Sequence, residues 1–261
     1  MTSTMDIEPR KLDFGRVIGQ TFGVLGRQPL IIFGLTLVLA AGPALLNLYV
    51  SRQMLGGGAA ATATLAQFAS LGYWLRVLAQ ALVSSFLEVC LFFVAFSEVS
   101  GRKAGFGEVM TNGAKFFLPL FAVNVLSYSA IFIGFMLLIV PGVMLALAWC
   151  VAGPALVAER TGIIQVLGRS AQLTRGNRWR ILGLFLIILV VVIIVEALLG
   201  VFSMASGGMG SFLFSPVRLV IFALVSAITS AIAYTGLGVL YANLRELRDG
   251  LGHDSLAAVF D

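Results

Sequence analysis

The residues with the greatest chemical potential in this sequence are acids placed where lipid is expected. Glu88 lies inside the apolar run Val77 to Val99, and Gln80 and Ser84 share its helical face at four-residue spacing. At 1.5 Å per residue it stands about 18 Å from Arg76, near the middle of the run. A carboxylate at that depth is costly if it is ionised and faces lipid, so this face must look inward, and the acid must be protonated, paired or beside water. Asn124, Ser127 and Tyr128 of the following run fall at a similar depth and are expected to supply hydrogen bonds. A polar face of this kind is the pattern of an intramembrane binding or transport site. A second acid, Glu196, lies about 24 Å beyond Arg180 on the same scale, and Arg218 is at a similar depth at the start of the last run. That pair reads as a structural ion-pair clamp between neighbouring helices.

Other chemistry is sparse. The single histidine, His253, belongs to the polar C-terminal tail, and Cys90 and Cys150 sit inside apolar runs as packing residues. No catalytic or metal-ligating constellation is predicted, no phosphate-binding loop or nucleophile elbow is present, and no cofactor is implied. Gly56-Gly57-Gly58 reads as loop flexibility. Catalysis is therefore not expected, and the pI near 9.6 does not imply nucleic acid, because no soluble basic module carries it.

The elements that must position Glu88 follow from composition. Apolar residues make up 59% of the 261 residues and charged residues 11%, with a mean hydropathy of +1.02. That exceeds what one buried core can hide, so lipid must cover the remainder. Six runs approach the roughly 20 apolar residues a crossing needs: Leu30 to Val50, Val77 to Val99, Leu118 to Val140, Pro141 to Val157, Ile181 to Phe202 and Val217 to Tyr241. Pro141-Gly142 is expected to turn the third run into the fourth. Residues Met1 to Lys11 contain no apolar stretch, so neither a secretory nor a transit signal is expected and the first run is retained. Of the 17 lysines and arginines, all but Arg52, Arg76 and Arg218 fall on one side of this six-span arrangement. The positive-inside rule then places both termini in the cytoplasm and the protein in the inner (cytoplasmic) membrane.

The connections before the first, third and fifth spans are amphipathic at a helical period. Phe14, Val17, Ile18, Phe22, Val24 and Leu25 oppose Arg16, Gln20 and Arg27. Phe106, Val109 and Met110 oppose Glu108, Asn112 and Lys115, and Ile163, Val166 and Leu167 oppose Gln165, Arg169 and Arg175. Val17, Val109 and Val166 coincide when the three are aligned, as do the small residues Thr21, Gly113 and Ser170. The expected fold is all-α, a single polytopic membrane domain over 1–261. It has six transmembrane helices and three interfacial amphipathic helices, in three units (about 12–100, 101–159 and 160–245) with a cytoplasmic tail over 246–261. The glycines Gly15, Gly19, Gly23 and Gly26 predict a close approach by a helix or head group along the first amphipathic helix. Ala223, Ala227, Ala231 and Thr235 predict a packing stripe in the sixth span.

The stretch Ala148 to Phe185 has a Trp, a Pro near the end of its span, Glu159-Arg160, an amphipathic helix containing Arg169-Ser170, and Gly-x-x-Trp entering the next span. With the ending Tyr241 to Gly250, it resembles the membrane domain associated with glycerophosphoryl diester phosphodiesterases. The resemblance implies a multi-span helical domain. It does not carry the family's esterase activity, whose soluble barrel and catalytic histidines have no counterpart in this sequence. Arg169, Ser170, Trp179 and Arg180 match its motif at the inner interface. There Arg16, Arg27, Arg169, Arg175, Arg178, Trp179 and Arg180 are expected to contact anionic head groups or a partner. Two functions are thus in view. One is a non-enzymatic membrane protein organising contacts with lipids, another membrane protein or a second copy of itself. The other is a small-solute or lipid transporter or channel built on the polar face around Glu88.

Overall fold

The computed structural model describes residues 12–43, 45–46, 70–205 and 216–250. Every element among them is helical: α1 (Phe14–Arg27), α2 (Pro29–Thr36) running into a π-helical turn (Leu37–Ala41), α3 (Leu71–Val99), α4 (Phe106–Leu137), α5 (Ile139–Trp149), α6 (Ala152–Glu159), α7 (Ile163–Thr174), α8 (Arg178–Ala205) and α9 (Pro216–Asp249). Five helical stretches are long and apolar enough to cross a membrane, with α5 and α6 together forming one of them. The pair made by α1 and Pro29–Ala41, bent by 91°, makes a sixth if taken as one span. The all-α, membrane-embedded architecture stands.

The core is organised around α3. Its outer half is exposed, whereas every residue from Leu87 to Glu98 is buried, enclosed by α4, α6, α9 and α1. Helix α1 is capped by Asp13, whose carboxylate accepts from the Gly15 and Arg16 amides. Its buried face, Val17, Thr21, Val24 and Leu25, packs on α9 and α3, so the apolar arc meets the ends of the spans. Pro29 occupies the first turn of α2, where its missing N–H removes no helical bond, and the chain bends there.

The amphipathic connections match in phase but differ in form. Val17, Val109 and Val166 are all buried, as are Thr21, Gly113 and Ser170. Yet only the first and third connections are separate helices. The second is the opening of the unbroken 32-residue α4, because Pro119 removes only its own backbone donor and the helix continues through it. The glycine stripe of α1 is not covered by another of the described helices. Among the described residues nothing lies within 4 Å of a side chain built at Gly19, Gly23 or Gly26.

The hairpin between the third and fourth spans turns at Leu138, ahead of the Pro141-Gly142 expected to form it. Pro141 falls instead in the first turn of α5, where a helix has unpaired amides and proline fits. Gly142 is needed for close approach. A Cβ there would lie 2.5 Å from Cγ of Phe135, and one on Gly134 would lie 3.1 Å from the Gly142 Cα. In α9 the stripe Ala223, Ala227, Ala231 and Thr235 is buried, as its spacing predicts. Helix α8 stands apart from the others. It packs beside α5 at its start and leaves Leu186 to Val191 exposed.

Candidate intramembrane binding site

Because α3 enters the bundle centre at Leu87, the next residue, Glu88, is carried inside with it and is only 8% exposed. Asn124 of α4 donates from Nδ2 to Glu88 Oε2 at 2.8 Å. Tyr234 of α9 lies on the other side of the cluster, near the same carboxylate and lining the same cavity. Its placement depends on Gly238, one turn further along. A Cβ there would meet Ala95 Cβ at 2.8 Å, so the missing side chain lets α9 close on α3. The Tyr234 ring meets Phe92 edge to face, with centroids 6.3 Å apart.

This cluster borders a cavity of about 900 Å³ between the α3–α4–α9 side of the bundle and α8. The wall on the α8 side is the stripe Leu184, Ile188, Val191 and Val195, and Trp149 and Phe92 contribute aromatic surface. Glu88, Asn124, Ser127, Tyr128 and Tyr234 form its polar end. Ser127 is 7% exposed and its hydroxyl has no hydrogen-bond partner among the described residues. Tyr128, at 64%, is the exposed rim. Among the described residues the lining contains no lysine, arginine or histidine.

The structure therefore brings together Glu88, Asn124, Ser127 and Tyr128 as expected from depth. Gln80 and Ser84 are not part of the cluster. They are half-buried, bond each other at 3.4 Å and do not border the cavity. Tyr234 went unread in the sequence, although it lies eleven residues before Arg245 as Glu88 lies fourteen before Arg102, which puts the two at similar depth. The side chains of Glu196 and Arg218 lie outside the described residues.

At the end where the basic residues gather, acids from the spans meet arginines from the connections. Helix α6 stops at Arg160, whose φ of 50° is left-handed and turns α7 back across it, returning Arg169 to Glu159. Arg169 Nε bonds both carboxylate oxygens of Glu159, at 2.9 and 3.1 Å, and its Nη2 bonds Asp249. Tyr241 donates to Glu159 at 2.9 Å. Burial works against the Arg169 charge, but the hydrogen bonds and charges of Asp249 and Glu159 outweigh it and raise its pKa. Arg16 pairs with Glu246 at 2.8 Å, Arg180 donates to the Leu12 carbonyl at 2.7 Å, and Arg178 reaches the Ala171 carbonyl at 3.5 Å. Glu98, 5% exposed, accepts from Gln28, with Arg27 3.8 Å away. Of the residues expected at head groups, Arg16, Arg169, Arg178 and Arg180 thus bond within the chain, while Arg27, Arg175 and Trp179 are exposed.

Among the described residues no group of three or more His, Cys, Asp or Glu is placed to hold a metal ion. The arrangement offers one acid, held by a neutral amide donor, at the polar end of an apolar cavity. No protein-family model, curated protein or solved structure matches the chain.

Proposed function

We propose that this chain is a non-enzymatic integral membrane protein that binds a membrane amphiphile in the cavity between α8 and the α3–α4–α9 bundle. The polar end of the ligand meets the Glu88 cluster. The cavity itself carries this reading: about 900 Å³, walled almost entirely by apolar side chains, with polar groups converging at one end. That volume falls in the ~300–1,000 Å³ range of small-molecule sites, which have the same composition. Lipid handling joins the two functions read from sequence, since Arg27, Arg175 and Trp179 are exposed at the end where the basic residues gather, where head groups are expected. With this reading belong an inner-membrane location, both termini in the cytoplasm, a threefold unit of amphipathic helix and hairpin, and kinship with the phosphodiesterase-associated membrane domain. Membrane lipids are its partners, and nucleic acid is not.

A neutral diacylglycerol carrying a photoreactive diazirine in one chain tests the reading. Labelling is expected at Phe92 and Trp149 inside the cavity as well as on the exposed stretch Phe135 to Val140. Ile188→Trp, which fills the cavity from α8, should remove the interior labels and leave the exterior ones. Labelling confined to the exterior in the unmodified protein would overturn the proposal.

A further inference from the structure

We propose that the amphiphile taken by this cavity is a lipophilic cation, an organic ammonium or phosphonium whose charge pairs with Glu88. This rests on the cavity being a ligand site and adds the sign of the ligand's charge.

Three observations carry it. First, Glu88 is almost fully buried and borders the cavity, and among the described residues no basic side chain lines that space. Second, the Glu88 carboxylate accepts a hydrogen bond from the Asn124 amide, and Tyr234, which lines the cavity near it, is likewise neutral. A neutral donor stabilises a carboxylate without neutralising it, so the ionised form of Glu88 has a charge that only a ligand in the cavity would meet. Third, aromatic rings line the cavity that Glu88 borders: Phe92, Tyr128, Trp149 and Tyr234. Ring faces attract organic cations, and the attraction grows where water is excluded. The unpartnered Ser127 hydroxyl supplies one further polar contact at the same end. An anionic ligand, a phosphate head group included, would face Glu88 with no counter-charge, and like charges in a desolvated site repel strongly.

Tetraphenylphosphonium and tetraphenylborate have nearly the same shape and opposite charge, and they provide the test. Each is titrated by equilibrium binding onto the full-length protein in nanodiscs of zwitterionic lipid, with empty nanodiscs subtracted. The phosphonium should bind saturably, one per chain, and about tenfold or more tighter than the borate. Glu88→Gln, which keeps shape and hydrogen bonding, should weaken the phosphonium by about tenfold or more and leave the borate unchanged or improved. Ile188→Trp, on the α8 wall of the cavity, should abolish saturable binding of both.

Equal binding of the two ions, or phosphonium binding indifferent to Glu88→Gln, would overturn the charge assignment. If Ile188→Trp still removed that binding, the cavity reading would survive. Absence of saturable binding by either ion, or binding indifferent to Ile188→Trp, would overturn both. Should Glu88→Gln fail to fold, Asn124→Leu removes one donor while keeping the acid, and it should retain the preference for the cation.

Discussion

Arg169 ties three parts of the chain at the basic end, so replacing it by leucine should loosen all of them at once. Its guanidinium lies on α7, Glu159 closes α6 and Asp249 closes α9. The side chains of Arg169, Glu159 and Asp249 are 25%, 16% and 21% exposed, intermediate between a buried and a surface network. Breaking a buried pair costs about 3–5 kcal/mol, and surface pairs contribute about 0–1 kcal/mol. A loss of about 2 kcal/mol is therefore expected for Arg169→Leu. Arg169→Lys keeps the charge but cannot span two carboxylates with one planar fork, and about half that loss should follow. Unfolding in mixed micelles with increasing dodecyl sulfate, followed by circular dichroism, reads both. A double-mutant cycle with Glu159→Gln should return a coupling of about 1 kcal/mol or more. An unchanged midpoint for Arg169→Leu, or zero coupling to Glu159, would refute the reasoning and return Arg169 to the lipid phosphates.

Gly142→Val places methyl groups where the Phe135 ring now sits, and should destabilise the α4–α5 hairpin by about 1–3 kcal/mol, with partial recovery on adding Phe135→Ala, measured in the same unfolding assay. Gln28→Leu leaves the buried Glu98 with only the distant Arg27, so a loss of about 1–3 kcal/mol is expected; midpoints within error of the parent would argue that Glu98 needs no partner. Gly238→Val should push α9 from α3 and separate Tyr234 from Glu88, giving weaker tetraphenylphosphonium binding than the parent chain, and unaffected binding would show that Tyr234 does not contribute. A reporter active only outside the cytoplasm, fused after Asp261, should be silent, and a strong signal would reverse the orientation.

What the sequence made legible was governed by periodicity and depth. Helical repeats of apolar residues are dictated by the bilayer, so five spans, or six if the bent α1–α2 pair counts as one, could be read, and the Ala223 to Thr235 stripe could be assigned to packing. The meeting of Glu88 with Asn124 was legible because an acid in hydrocarbon needs a partner at its own level. Position along the chain said less about which interfacial residues turn inward. Arg169 meets acids on α6 and α9, and sequence separation does not record that proximity. Tyr234 was hidden for a similar reason, since its neighbourhood with Glu88 depends on the close approach at Gly238. The turn at Leu138 was misplaced because proline is equally at home in a loop and in the first turn of a helix.

Native mass spectrometry of the protein released from native membrane patches tests most directly whether the cavity is a ligand site. The unmodified chain should retain one amphiphile after bulk lipid is stripped, Ile188→Trp should retain none, and Glu88→Gln should retain less. A chain that emerges bare, or an adduct carried equally by Ile188→Trp, would contradict a ligand-binding role for the space between α8 and the bundle.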